Sequence, residues 1–193
     1  MNYAETSERL RAYRHQIETL RQEMRALQAE VEPDPVEDYR FRTTDGEVML
    51  SELFGDKPEL FVIHNMGKGC SYCTLWADGF NGVAEHLANR AAFVVSSPDD
   101  PETQDAFKAS RNWRFRMVSH QGSSFAEDMG YRRDQRWWPG VSVFRKTDHG
   151  IVRLSDAGFE PGDDFCPTWH LFDLLPEGAN GWQPKYRYSK EAA

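Results

Sequence analysis

The sequence predicts an α/β fold built around a central mixed sheet. Apolar runs of strand length alternate with segments whose apolar residues recur every three or four positions, as in helices packed on one face. The order is strand, helix, strand, helix, followed by a hairpin and one more helix. We therefore expect an α/β domain with a C-terminal extension at residues 36–193, preceded by a long amphipathic helix at residues 1–35.

Composition and charge exclude several classes of protein. The chain has 193 residues, of which 39% are hydrophobic and 13% aromatic, so it can bury a core and is not a disordered chain. A net charge of −8 gives no reason to expect nucleic acid or anionic lipid as a partner. The sequence has no apolar run of membrane-spanning length, and its charged N-terminus is unlike a signal peptide. We expect a cytoplasmic protein with neither a membrane nor a nucleic-acid partner.

Residues 4–32 have the pattern of one long helix, which Pro33 and Pro35 bring to an end. Seven apolar residues lie alternately three and four positions apart and form the heptad seam: Leu10, Tyr13, Ile17, Leu20, Met24, Leu27 and Val31. The seam either packs on the chain's own domain or contacts a second copy. Since soluble monomers avoid large exposed apolar patches, it must be covered, and the regular spacing favours a homodimer.

Short elements are predicted along the rest of the chain. The predicted strands are 39–43, 48–50, 60–64, 91–97, 117–119 and the hairpin 141–145 with 151–154. A short helical turn is predicted at 51–55. The predicted helices begin after Cys70, at Pro101 with Asp99 or Asp100 as the cap, at Ser123 and at Thr168.

Cys70 and Cys73 lie where the strand 60–64 ends and the helix over 74–87 begins. The N-terminus of a helix offers unpaired backbone N–H groups and the positive end of the helix dipole, and both favour thiolate over thiol. Cys70 lies closest to that end, so we expect Cys70 to be the nucleophile and Cys73 to close a disulfide onto it. The glycines on either side of Lys68 predict a mobile, locally positive loop ahead of Cys70.

Two other interpretations of this cysteine pair remain open. The pair is compatible with two buried thiols of no chemical role. Cys70, Cys73, Cys166 and His170 also have the residue types of a tetrahedral zinc site. Zinc-binding cysteine pairs usually sit on turns and not between a core strand and its helix, so we expect no metal and no organic cofactor.

Several motifs carry a resemblance to a known family. Asp45-Gly46 and Leu50–Leu53 precede the first core strand, Cys70 and Cys73 open a helix, and Pro139 precedes a strand. With these features, residues 41–154 resemble the thioredoxin-like fold in its peroxiredoxin-type elaboration. The phrases at 74–80, 139–144 and 163–166 make the chain similar to a bacterial family of predicted dithiol–disulfide oxidoreductases of unassigned substrate. The resemblance implies a three-layer fold with a central mixed sheet.

The resemblance also implies roles for three further residues. In thioredoxin-like proteins the proline matching Pro139 is cis, and the backbone before it pairs with the substrate, so Pro139 and Trp138 are candidate substrate-binding residues. His64 occupies the position of the buried carboxylate of thioredoxins. Its imidazole is a candidate catalytic acceptor for the proton of Cys73, and a satisfied core histidine is the alternative.

These observations predict a thioredoxin-like dithiol–disulfide oxidoreductase that acts on a disulfide-bearing protein or a small thiol compound. A thiol peroxidase is the enzymatic alternative. The segment from Asp45 to Leu53 favours it, whereas Gly67 stands where peroxiredoxins place a threonine. A redox-sensing or interaction module, which binds a partner through the N-terminal helix, is the non-enzymatic alternative.

Overall fold

The computed structural model describes residues 2–188, and the chain divides after Asp34 into two compact units. The first unit is dominated by helix α1, Tyr3–Ala29. Asn2 caps this helix, because its side chain accepts a hydrogen bond from the Glu5 N–H at 3.0 Å while the Glu5 carboxylate accepts from the Asn2 N–H at 3.2 Å. The helix ends three residues earlier than predicted, since Pro33 disfavours helical backbone in the residue before it.

No residue of α1 is buried. The seven seam side chains are between 45% and 68% exposed. The seam therefore remains an apolar face in contact with solvent in the single chain.

The described strands are short except for the last two. They are β1 (Asp34–Val36), β2 (Arg40–Thr43), β3 (Gly46–Met49), β4 (Glu59–His64), β5 (Ala92–Ser97), β6 (Arg116–Ser119), β7 (Arg132–Arg133), β8 (Arg136–Trp137), β9 (Gly140–Thr147) and β10 (Gly150–Gly158). The helices after α1 are α2 (Ser71–Arg90), α3 (Pro101–Arg111), α4 (Phe125–Asp128) and α5 (Pro167–Phe172), and a 3-10 turn spans Leu50–Glu52. Asp100 caps α3 by accepting a hydrogen bond from the Thr103 N–H at 2.9 Å.

Eight strands form one mixed sheet in the order β1-β10-β9-β4-β5-β6-β2-β3. The central strands β4, β5 and β6 are parallel, and β9 and β2 pair antiparallel with them on either side. The predicted α/β fold with a central mixed sheet is thereby confirmed.

Each face of the sheet is covered by its own apolar cluster. Alternation along β4 places Leu60 and Val62 in one cluster and Ile63 in the other. The Ile63 cluster includes Trp76 and Ala77 of α2, so α2 packs on that face. The two clusters and the sheet between them form three layers.

The small hairpin of β7 and β8 was missed by the sequence analysis. Its two strands have two residues each, and Asp134 and Gln135 form the turn with φ values of 49° and 61°. Hairpin turns with two left-handed residues usually contain glycine, so the sequence carried no signal for this one. Within residues 2–188, no helix has both the length and the apolar character needed to cross a membrane.

Candidate active site at the carboxyl edge of the sheet

The parallel strands bring distant loops together at one edge of the sheet. His64 pairs with Ser96 at the end of β4, and Ser97 pairs with Ser119 at the end of β6. The loops that follow these strands therefore leave from the same edge. Gly140 at the start of β9 pairs with His64, so the residues preceding β9 lie at this edge too.

Cys70 is the N-cap residue of α2, and its Sγ accepts a hydrogen bond from the Cys73 N–H at 3.0 Å. A hydrogen bond from the Cys73 thiol is the largest influence that lowers the pKa of Cys70 to about 7. Backbone N–H groups of Cys73 and Tyr72 act in the same direction, and burial opposes them. These hydrogen bonds favour the thiolate form of Cys70.

The pKa of Cys73 is shifted in the opposite direction. Its side chain is only 3% exposed, and its pKa is strongly raised, first by its hydrogen bond to Cys70, then by burial and by the negative charge of Cys70. Neither cysteine is in a disulfide in this structure. The pair thus consists of a partly exposed cysteine with a lowered pKa and a buried thiol one helical turn away.

The loop between β4 and Cys70 is held by Asp99. The Lys68 N–H donates to Asp99 Oδ2 at 2.7 Å, and the Gly67 N–H donates to Asn65 Oδ1 at 2.8 Å. Gly67 has a φ of 97°, and a Cβ at this position would lie 2.9 Å from Asp99 Oδ1. Gly67 thus leaves room for the Asp99 carboxylate to bind the backbone of this loop, whose expected mobility stays a prediction. The sequence pattern indicated for Asp99 only a possible role as a helix cap.

His64 is buried, and aromatic rings pack against it. Its ring stacks on Tyr131, with centroids 3.8 Å apart, and on Phe125, and its Nε2 lies 2.9 Å from Ser142 Oγ. These aromatic neighbours belong to the cluster on the face opposite α2. Burial and the charge of His120 lower the pKa of His64 well below its usual value. This side chain follows the alternation of β4 and shares a face with Leu60 and Val62, opposite the face on which α2 packs. The expected transfer of the Cys73 proton to His64 stays a prediction.

Trp138 and Pro139 lie in extended chain between β8 and β9. The Trp138 N–H donates to the Tyr131 carbonyl at 2.8 Å, and the Pro139 carbonyl accepts from the Phe159 N–H at 2.9 Å. The Trp138 side chain is 50% exposed. No peptide bond within residues 2–188 is cis, so the cis proline that the resemblance implied is absent at Pro139.

Gly140 makes room for a tyrosine that crosses this edge. A Cβ at Gly140 would lie 2.2 Å from the Tyr131 ring and 2.5 Å from the Ala157 carbonyl. The Tyr131 hydroxyl lies 3.1 Å from the carbonyls of both Val141 and Ala157. Tyr131 thus joins β9 and β10, and no local spacing in the sequence points to it.

The C-terminal segment returns to the neighbourhood of the cysteines. Arg111 Nη1 donates to the Tyr186 carbonyl at 2.7 Å, and the rings of Tyr186 and Phe107 lie 6.4 Å apart. The pKa of Tyr186 is raised, first by burial and then by the negative charges of Cys70 and Cys73. The last five residues of the chain, 189–193, lie outside the described residues.

The alternative zinc ligands are dispersed. Cys166 is buried in the cluster with Trp76 and Trp169, whereas His170 is exposed and its Nε2 lies 3.3 Å from Asp164 Oδ1. Among residues 2–188, no three histidine, cysteine, aspartate or glutamate side chains are grouped as metal ligands would be.

Solved structures share this fold at low sequence identity. The peroxidoxin BcpB of Mycobacterium tuberculosis has a TM-score of 0.56 and 22% identity, over 65% of this chain and 84% of that one. A putative thioredoxin reductase of Burkholderia cenocepacia has a TM-score of 0.54 and 18% identity, over 67% and 88%. Reduced Prx3 of Vibrio vulnificus, solved with hydrogen peroxide, has a TM-score of 0.53 and 16% identity, over 69% and 87%. The fold is therefore thioredoxin-like, as the sequence predicted.

Sequence comparison assigns the family. No curated protein matches the chain. A family model does match, and it covers residues 5–192, which is nearly the whole sequence. The chain belongs to DUF899, a family of bacterial proteins of unknown function.

Proposed function

We propose that the protein is a thiol–disulfide oxidoreductase in which Cys70 is the nucleophile. One observation carries the proposal: hydrogen bonds at the start of α2 lower the pKa of Cys70 to about 7, while the thiol of Cys73 stays protonated beside it. A nucleophilic thiolate next to a protonated resolving thiol is the arrangement that exchange with a disulfide requires.

The reaction proceeds in two exchanges. The Cys70 thiolate attacks a substrate disulfide, forms a mixed disulfide and releases the first substrate sulfur as a thiolate, which takes a proton from solvent. Cys73 then loses its proton to solvent and attacks Cys70 Sγ, which releases the second substrate sulfur. The substrate gains two electrons, and the protein retains a Cys70–Cys73 disulfide that an external thiol reduces.

Trp138 and Pro139 are proposed to bind the substrate. Both precede β9 at the edge from which the Cys70 loop leaves, and half of the Trp138 side chain is exposed. A disulfide-bearing protein segment or a small disulfide is the proposed substrate, and the reducing cytoplasm the proposed compartment. His64 has no part in this proposal, because its ring lies on the other face of the sheet.

A thiol peroxidase is the second candidate. It is favoured by the fold shared with the peroxidoxin BcpB and with Prx3, whose structure contains hydrogen peroxide. In this reaction Cys70 attacks a peroxide oxygen, becomes a sulfenic acid and releases water or an alcohol. Cys73 then displaces the hydroxyl as water and forms the disulfide.

Three single variants distinguish these functions. We expect the intact chain and Cys166→Ser to reduce oxidised glutathione or a disulfide-bonded protein, with dithiothreitol as the electron source. Cys70→Ser should have no turnover, and Cys73→Ser should accumulate a mixed disulfide through Cys70, detected by mass spectrometry. Turnover in Cys70→Ser would contradict the proposal. Consumption of hydrogen peroxide, with no reduction of either disulfide, would favour the peroxidase.

We also propose that the chain forms a homodimer through α1. The seven seam side chains are exposed in the single chain and keep the three-four spacing of a helix that pairs with a second helix. An identical copy presents the same apolar seam, so the pairing is self-complementary.

A further inference from the structure

A cavity of about 490 Å³ with a mixed polar and apolar lining lies beyond the end of β6, and its lining includes His120, Arg132 and Trp137. This volume is within the usual range of small-molecule sites, about 300–1,000 Å³. Neither cysteine lines the cavity, so its role is independent of the reaction proposed above.

Two buried nitrogens of the lining residues have no partner. His120 is 2% exposed, and its Nδ1 lies 2.7 Å from Ser96 Oγ while its Nε2 has no hydrogen bond. Arg132 binds Glu127 through Nη1 and Gln135 through Nη2, each at 2.9 Å, and its Nε is buried without a partner. Buried polar groups are rarely left unsatisfied, so these nitrogens point to a missing acceptor.

The hairpin of β7 and β8 forms one wall of the cavity. Arg132 and Trp137 are paired residues of the two strands, and the Arg132 guanidinium lies 4.8 Å from the centre of the Trp137 ring. The same ring lies 5.0 Å from the ring of His120. Both turn residues, Asp134 and Gln135, hold left-handed backbone, which costs non-glycine residues conformational energy. Such strain persists where surrounding contacts fix the segment, as in ligand sites.

We infer that this cavity binds a small carboxylic acid that also carries a hydroxyl or amino group. Its carboxylate accepts from Arg132 Nε–H and from His120 Nε2–H, the tautomer present when the Ser96 hydroxyl donates to Nδ1. Its hydroxyl or amino group donates to the carboxylate of Glu127, a residue that lines the same cavity and accepts from Arg132. Burial and the charge of Arg132 lower the pKa of His120 to about 4, so the ring is neutral at neutral pH.

Calorimetric titration of the intact chain tests the inference, with lactate, acetate and inorganic phosphate as probes. We expect saturable binding of lactate and weaker binding of acetate, which lacks the hydroxyl. Arg132→Gln should weaken lactate binding about tenfold or more. Arg133→Gln is the matched control, because Arg133 lies in the same hairpin, is exposed and donates from Nε to the Gly130 carbonyl. Its affinity for lactate should equal that of the unmodified chain.

Nuclear magnetic resonance of the unmodified chain provides a readout that does not depend on how a variant folds. The ring nitrogen signals of His120 should shift as lactate saturates the protein. The inference is overturned by absence of lactate binding, by unchanged affinity in folded Arg132→Gln, or by phosphate binding as tightly as lactate. Unshifted His120 signals at saturation would overturn it as well.

Discussion

At the scale of single residues, the two cysteines differ in ionisation and burial because they occupy different positions in the first turn of α2. Cys70 caps α2 and receives hydrogen bonds that stabilise its thiolate, whereas Cys73 is inside the helix and buried. The sequence order of the pair therefore predicts which sulfur is the nucleophile. The depth of Cys73 and the hold of Asp99 on the preceding loop were not predictable from the pair alone.

Alkylation of the reduced chain by iodoacetamide measures the difference in reactivity between Cys70 and Cys73. Because the thiolate is the reactive form, the labelling rate of Cys70 should rise through a midpoint near pH 7, below the usual value of 9.0. Cys73 should stay unlabelled in the folded chain. Cys166→Ser is the control, since it removes only a buried cysteine outside the pair. Faster labelling of Cys73, or a Cys70 midpoint at the usual value, would refute the assignment.

A glycine pair on neighbouring strands gives a second prediction at this scale. Gly140→Ala should destabilise the fold by about 3 kcal/mol, the upper end of typical overpacking costs, because its Cβ meets Tyr131 and a backbone carbonyl. Gly158, its partner in the β9–β10 register, has nothing within 4 Å of a Cβ. Gly158→Ala should change stability by no more than about 0.5 kcal/mol in urea unfolding. Equal losses in the two variants would exclude the Tyr131 contact as the cause.

At the scale of elements, long and strongly patterned segments agree best with the sequence analysis. Helix α1 ends within three residues of its predicted end, and the cap of α3 is Asp100, one of the two residues predicted for it. The hairpin of β7 and β8 was missed because two-residue strands carry no periodicity. The seam of α1 is exposed in the single chain.

Matched lysine substitutions in α1 test the homodimer. Leu20→Lys places a charge in the seam, whereas Gln22→Lys places the same charge on the face opposite it. Since burying a leucine contributes roughly 1.5–3 kcal/mol per chain, Leu20→Lys should weaken dimerisation about a hundredfold or more, and Gln22→Lys should not. Sedimentation equilibrium provides the measurement. An intact chain that is monomeric at micromolar concentration rules out the dimer.

At the scale of the whole molecule, the candidate reactive and ligand-binding groups lie together at the carboxyl edge of the sheet. The Cys70 loop, Asp99 and the His120 cavity follow three parallel strands, and Trp138 precedes the antiparallel β9. The same arrangement buries two histidines, His64 and His120, whose rings are neutral in the folded chain. The stability of the whole chain should therefore depend on pH.

Burial lowers the folded-state pKa of His120 from 6.5 to about 4, and it also lowers the pKa of His64 well below its usual value. Below pH 6.5 the unfolded chain consequently binds more protons than the folded chain. The free energy of unfolding therefore falls as the pH is lowered from 6.5 towards 4. Each histidine contributes a slope of at most about 1.4 kcal/mol per pH unit. Urea midpoints of His120→Gln should fall less steeply than those of His149→Gln, an exposed control. Identical slopes in the two variants would contradict this account.

Local sequence patterns were enough to predict the α/β fold class, the order of the main elements and the place of Cys70 at the start of α2. Each of these follows from local periodicity or from one strand–helix junction, and local interactions are enough to encode them. The resemblance to a thioredoxin-like bacterial family also follows from short motifs within the chain.

The surroundings of the site depend on tertiary packing. The face of the sheet that His64 shares with Leu60 and Val62 is opposite α2 because that helix packs on the other side of the sheet. Asp99, Tyr131 and Tyr186 reach this region through contacts between segments far apart in sequence. Such contacts arise when packed layers meet, and no spacing pattern within one segment specifies them.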